Sequence, residues 1–169
     1  MGVLRLDSWK VFLIMMSTII GASIVDDKYV LIKTTISIIA YAAIFGWYLI
    51  VGSTINDSLP DEDYKSDTLF KINCVYLFAF LAMSKVMQNA SEVVESEMPI
   101  YIMIAFGYYA FAFLYVVFFS ASSFIKAEEN QIGRKDKLKL ESVYLSFLLF
   151  IIGVWVLHPR FQQLYPKHQ

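Results

Sequence analysis

A chain of 169 residues that is 58% hydrophobic and 17% charged differs from soluble domains, which are about 45–50% apolar and about 25% charged. This bias indicates that the protein is dissolved mainly in a lipid bilayer, and the formal net charge of −1 gives no reason to expect direct binding of nucleic acid. The single cysteine, Cys74, excludes an intramolecular disulfide and a cysteine-rich metal site. Both histidines lie in the last dozen residues, so we expect no metal ion and no other cofactor.

Five apolar segments follow one another along the chain: 9–25, 34–52, 70–88, 99–124 and 141–157. A helix needs about 17 to 25 predominantly apolar residues to cross a bilayer, and an open strand would leave backbone groups unpaired in lipid. We therefore predict an all-α fold, a polytopic membrane helical bundle with five transmembrane helices, with four as the alternative. The bundle would be a single domain over residues 1–169 with no soluble domain, because the longest connections are too short to bury a core.

The predicted number of membrane spans depends on how the third and fifth segments end. In the third, Lys71 and Lys85 are 14 residues apart, which is about 21 Å of helix and less than a hydrocarbon core of about 30 Å. Lysine side chains reach outward to the headgroups, so we predict a short span. In the fifth, His158 and Pro159 are expected to end the helix, because proline lacks an amide hydrogen.

The distribution of lysine and arginine residues predicts the orientation. With five spans and the amino terminus inside, nine of these residues lie on the inner side and five on the outer side. Placing the third segment on the outer surface instead makes the count seven to seven, so the positive-inside rule favours five spans. We therefore expect an integral membrane protein with a cytoplasmic N-terminus, and the composition favours a bacterial inner (plasma) membrane over a eukaryotic one.

Hydroxyl-bearing and small side chains form a stripe on two of the segments. In the fourth segment tyrosines recur every seven residues with alanines between them, and in the second segment three hydroxyls share one face. The members are Tyr101, Ala105, Tyr108, Ala112, Tyr115 and Ser122, and Thr34, Ser37 and Tyr41. Such stripes are typical of close helix packing in membranes, which is the interpretation we favour. The alternative interpretation is a hydroxyl-lined pore.

The two longest connections carry opposite charge. Residues 53–69 are acidic, and residues 125–140 are basic. The basic residues are Lys126, Arg134, Lys135, Lys137 and Lys139. Five spans place both connections on the inner side, where each basic residue near anionic headgroups contributes about 1 kcal/mol. We expect contact with anionic lipid, and the same residues are the best available docking site for a cytosolic protein partner.

Catalytic motifs are missing from the sequence. It contains no Ser/His/Asp set, HExxH motif, P-loop or pair of intramembrane carboxylates. An intramembrane enzyme needs such a group beside a water-filled cavity, so we predict that the protein is not an enzyme. Charged residues are also absent from the middle of every predicted span, which disfavours ion-coupled transport.

Three functions are compatible with these features. The first is a non-enzymatic subunit of a homo-oligomer in the bilayer, which recruits or regulates a cytosolic partner through its inner connections. The second is a pore or channel, for example a membrane effector of a bacterial defence or toxin system. The third is a small-molecule or lipid carrier, for which the lack of a charge at the midplane is unfavourable.

Overall fold

The computed structural model describes residues 8–90, 100–132 and 140–164. Within these residues 90% of the chain is helical and no strand is present, so the prediction of an all-α helical bundle is confirmed. The helices are α1 (Ser8–Ile24), α2 (Val30–Asp57), α3 (Thr68–Ala90), α4 (Ile100–Ile132), α5 (Leu140–Leu148) and α6 (Phe150–Leu164), with a single 3₁₀ turn at Asp27–Tyr29 before α2.

Among the described residues, three helical stretches are long and apolar enough to cross a membrane: Asp27–Asp57, Thr68–Gln88 and Ile100–Asn130. A fourth apolar stretch, Lys10–Ile24 in α1, is shorter. At about 1.5 Å per residue, the 33 residues of α4 extend about 50 Å, which exceeds a hydrocarbon core of about 30 Å. The lengths and composition of these helices are those of a membrane-embedded bundle, and α4 is long enough to project beyond the apolar layer.

α2 lies at the centre of the bundle, in contact with α1, α3 and α4. α1 runs antiparallel to it. Near the end of α1, a Cβ at Gly21 would lie 3.6 Å from Cγ2 of Ile36, whereas Val11 near the start of α1 lines a groove together with Gly46. The small residue Gly21 therefore lies where the two helices approach each other.

α3 packs antiparallel to both α2 and α4. Phe70, in the first turn of α3, lies against Gly52 of α2 and stacks on Phe119 of α4 with the ring centroids 4.4 Å apart. Ten residues further along α3, Phe80 meets Phe106 edge-to-face at 5.2 Å. Because Phe106 precedes Phe119 in α4, the two helices run in opposite directions.

The fifth predicted span is divided between α5 and α6, and the chain folds back between them. On a straight helix, residues 14 positions apart are about 21 Å apart, yet the ring centroids of Phe147 and Phe161 are 6.3 Å apart. The prediction of one helix over residues 141–157 is therefore wrong. The chain turns at Leu149 because both rings pack on Phe124 of α4, at centroid distances of 6.4 and 4.8 Å.

The expectation that His158 and Pro159 end the last helix is also wrong, since α6 continues to Leu164 with Pro159 in its interior. Beyond the proline, Phe161 and Leu164 are buried in the core. The packing of these two side chains on the core continues past the proline, against a cost of about 3 kcal/mol for a proline inside a helix.

An aromatic cluster fills the core where α2, α4, α5 and α6 meet. Its members are Trp47, Tyr48, Phe124, Phe147 and Phe161, all of them buried. Trp47 meets Phe161 at a centroid distance of 6.1 Å. The hydroxyl of Tyr48 donates a hydrogen bond to the carbonyl oxygen of Phe147, one of the carbonyls that the end of α5 leaves without a partner in its own helix.

Candidate functional site

Polar contacts join α2, α4, α6 and the loop between α2 and α3 at one end of the bundle, which we call the polar end. Here α2 ends at Asp57, α3 begins at Thr68, and the loop between them, residues 58–67, lies beside the last turns of α4. α6 joins them through the ion pair between Arg160 and Glu128. The side chains that make these contacts are Asn56, Asp63, Lys65, Ser122, Lys126, Glu128, Asn130 and Arg160.

The loop 58–67 takes its shape from a buried asparagine and a proline turn. The side chain of Asn56 is fully buried; its Nδ2 donates to the carbonyl of Lys65 at 2.6 Å, and its Oδ1 accepts from the amide of Lys65 at 3.2 Å. The carbonyl of Pro60 accepts from the amides of Asp63 and Tyr64, each at 2.9 Å. These bonds hold Asp63 and Lys65 in place beside α4.

Asp63 joins the acidic loop to the basic end of α4. One of its carboxylate oxygens accepts a hydrogen bond from Nζ of Lys126, and the other accepts from Nδ2 of Asn130 at 3.0 Å. The hydrogen bonds from Lys126 and Asn130 hold the pKa of the Asp63 carboxyl below its usual value. This ion pair therefore joins the loop to Lys126, the first basic residue of the predicted connection 125–140.

Lys65 brings a second positive charge to the same place. Its Nζ donates to Oγ of Ser122 at 2.9 Å, so Ser122, a member of the predicted stripe, belongs to the polar end. Burial lowers the pKa of the Lys65 ammonium group, and the nearby charge of Lys126 lowers it further, whereas Asp63 opposes the shift.

Glu128 and Arg160 form the most buried ion pair at the polar end. Nε of Arg160 donates to Oε1 of Glu128 at 2.7 Å, and Nη2 donates to Oε2. The two side chains are only 7% and 15% exposed, and the guanidinium lies 5.0 Å from the ring centroid of Phe124. A bidentate pair with this burial fixes the position of α6 on α4, because separating it would leave a buried charge without a partner.

One residue of the polar end, Lys126, was predicted from the sequence as a partner or lipid contact. In the structure it is held by Asp63, and its role toward a partner or lipid stays a prediction. The other predicted basic residues, Arg134, Lys135, Lys137 and Lys139, lie outside the described residues. Glu128 and Arg160 were missed, since nothing in the local sequence pairs two residues 32 positions apart. Asn56 was missed as well, although the nearby Pro60 is a turn signal.

The tyrosine stripe of α4 is largely engaged with α3 and with aromatic neighbours. The hydroxyl of Tyr108 donates to Oδ1 of the buried Asn73 at 2.7 Å, and the carbonyl of Ala105 accepts from the hydroxyl of Tyr76 at 2.9 Å. The remaining members of the stripe differ in exposure: Ala112 is fully buried, Tyr115 is half-buried and Tyr101 is exposed. These contacts are those of a helix interface.

The hydroxyl stripe of α2 is turned toward its own backbone. The hydroxyl of Thr34 donates to the carbonyl of Val30 at 2.8 Å, and that of Ser37 donates to the carbonyl of Lys33 at 2.9 Å. Tyr41 is partly buried and packs against the core.

Two apolar grooves flank α2, one toward α1 and one toward α3, with volumes of about 210 and 170 Å³. Both are lined by Ala42 and Gly46, a pair of small residues four positions apart. A Cβ at Gly46 would meet no atom within 4 Å. This face of α2 therefore has room for another apolar chain.

The polar end offers fixed charges and hydrogen-bonding groups. Across residues 8–90, 100–132 and 140–164, no group of three or more His, Cys, Asp or Glu side chains is arranged to hold a metal ion. Three comparisons with known proteins, by family model, by curated sequence and by solved structure, find no match to this chain.

Proposed function

We propose that this chain is a non-enzymatic, multi-pass membrane protein that assembles as a homo-oligomer and presents its polar end to a cytosolic protein partner. The observation that carries the proposal is the bracing of the last turns of α4 by two other parts of the chain. Asp63 holds Lys126 and Asn130, and Arg160 holds Glu128. The end of α4, which the basic segment follows in the sequence, is therefore held in a fixed position.

We assign different roles to the basic residue inside α4 and to those that follow it in the sequence. Lys126 is neutralised by Asp63, so we assign it a positioning role. The four basic residues that follow α4 in the sequence are assigned the contact with an acidic surface of the partner, since opposite charges steer association and set its specificity. The length of α4 is compatible with this assignment, because a helix of about 50 Å exceeds a hydrocarbon core of about 30 Å by about 20 Å in total, counted over both ends.

Oligomerisation is the second element of the proposal. The grooves on either side of α2 are lined by Ala42 and Gly46, and small residues at this spacing allow close approach between helices in a bilayer. The proposed location is a bacterial inner membrane with the amino terminus and the polar end on the cytoplasmic side. The pore and carrier alternatives have less support, because Thr34, Ser37 and Tyr108 direct their hydroxyls to partners within the bundle.

The test is partner capture by the full chain in lipid nanodiscs, compared between two charge-reversal variants. One variant changes Lys135, Lys137 and Lys139 to Glu, and the other changes Lys28 and Lys33, at the opposite end of the bundle, to Glu. We expect a captured cytosolic protein whose amount falls at least tenfold with the first variant and is unchanged with the second. Capture that is equal for all three proteins, or no capture at all, would overturn the proposal.

A further inference from the structure

We propose that α5 and α6 form a hairpin that inserts into the inner leaflet of the bilayer from the polar end and returns to it. The chain then crosses the membrane four times, through α1–α4, and residues after α6 lie on the same side as the amino terminus. The surface of the hairpin that faces away from the bundle has the lipid of the inner leaflet as its partner.

The position of Arg160 carries the inference. Arg160 pairs with Glu128, which lies four residues before α4 ends at Ile132. The next described helix begins at Leu140, so the chain leaves α4 and comes back to the same end within α5 and α6. A crossing by this segment would have separated Arg160 from Glu128 by about 30 Å, the thickness of the hydrocarbon core.

The lengths of the two helices agree with this position. α5 has 9 residues and α6 has 15, and each is shorter than the about 17 to 25 residues that a crossing needs. A turn at membrane depth must also satisfy its backbone groups within the protein. The amide of Leu149 donates to the carbonyl of Leu145 at 2.8 Å, and Tyr48 of α2 donates to the carbonyl of Phe147.

Polar and apolar side chains are distributed along the hairpin as this insertion requires. At its base lie Glu141, which is exposed, and the ion-paired Arg160. Around the turn, Leu145, Leu149 and Val156 are 52, 46 and 44% exposed. The base would therefore contact water and headgroups, and the turn would contact acyl chains.

The surface around the turn resembles the outer surface of the other helices, because both expose large apolar side chains. α2, α3 and α4 likewise expose large hydrophobic side chains outward, among them Ile39, Val75 and Phe111. Lipid acyl chains are the solvent of those surfaces, and we assign the same partner to the hairpin.

The charge distribution supports four crossings independently of these contacts. When the chain after α6 is placed inside, Arg160 and Lys167 move to the inner side, and only Lys28, Lys33 and Lys85 stay outside. Eleven basic residues then lie inside against three outside, compared with nine against five for five crossings. The positive-inside rule favours the more asymmetric arrangement.

Cysteine labelling tests the inference without any partner, so its result is independent of the docking proposal. In a Cys74→Ala background, three single variants would be labelled with a membrane-impermeant maleimide in right-side-out and inverted vesicles: Gln163→Cys, Asp61→Cys and Lys28→Cys. We expect Gln163→Cys to be labelled in the same vesicles as Asp61→Cys and in the opposite vesicles to Lys28→Cys. Labelling of Gln163→Cys together with Lys28→Cys would overturn the inference.

A depth measurement tests the lipid contact. Leu149→Cys and Gln163→Cys would each carry a fluorophore in phosphatidylcholine–phosphatidylglycerol vesicles that contain lipids with a nitroxide on the acyl chain. We expect at least twofold stronger quenching at position 149 than at position 163. Equal quenching at the two positions would place the turn outside the lipid and contradict the insertion.

Discussion

Replacing Gly52 with alanine would place a methyl group where the ring of Phe70 already lies. The added Cβ would be 2.4 Å from Cζ and 2.9 Å from Cε1 of that ring, well inside van der Waals contact. The ring has no space to withdraw, since Phe70 is fully buried and stacks on Phe119 at 4.4 Å. We therefore expect Gly52→Ala to push α2 and α3 apart and to destabilise the fold.

Gly46→Ala, in the same helix, is the matched control, because a Cβ there meets no atom within 4 Å. Both variants gain about 1 kcal/mol of helix propensity. Only Gly52→Ala adds an overpacking cost of about 1–3 kcal/mol. The expected difference in unfolding free energy between the two variants is therefore about 1–3 kcal/mol, with Gly52→Ala the less stable.

The assay is thermal unfolding of the purified variants in the same detergent. For a chain of this size 1 kcal/mol corresponds to about 2–4 °C, so Gly52→Ala should unfold about 2–12 °C below Gly46→Ala. Equal unfolding temperatures would refute the packing of Phe70 between α2 and α4. A lower unfolding temperature for Gly46→Ala would show that the groove at Gly46 is occupied by another chain.

Three further changes test the hairpin and the polar end. Tyr48→Phe should lower the free energy of unfolding, measured with denaturant, by about 1–3 kcal/mol, because it leaves the buried carbonyl of Phe147 without its donor. An unchanged midpoint of the denaturant transition would exclude that hydrogen bond. Glu128→Gln should lower the free energy of unfolding by about 3 kcal/mol, because it leaves the buried charge of Arg160 without its partner. Adding Arg160→Met should recover part of this loss. A double variant less stable than the single one would contradict the expectation. The pKa of the Asp63 carboxyl is lowered, mainly by the hydrogen bond from Lys126. The contribution of the ionised Asp63 to stability should therefore be complete above pH 3.8 and should fall as the pH drops through the lowered pKa. Asp63→Asn should remove this pH dependence, and the same acid transition in both proteins would contradict the assignment.

Local features of the sequence were sufficient to predict much of the fold. The apolar segments that became α1–α4 were recognisable because a helix dissolved in lipid must be apolar along a length set by the bilayer. Counting charges along alternating segments predicted that the acidic and basic connections share one side of the membrane. In the structure one residue of each predicted connection, Asp63 and Lys126, forms an ion pair. Helix packing of Tyr108 and Ala112 stays a prediction; in the structure Tyr108 bonds Asn73 of α3 and Ala112 is buried.

The sequence by itself determined the helical class of the protein, the apolar composition that suits a membrane, and the approximate positions of its first four helices, because each depends on the composition of one continuous segment. Tertiary structure alone decided that residues 140–164 fold back, that Arg160 returns to Glu128, and that Phe70 fills the space beside Gly52. These contacts join residues far apart in the chain. Their partners are selected by the packing of several helices at once, and the apolar character of a segment such as 141–157 is the same whether it crosses a bilayer or folds into a hairpin.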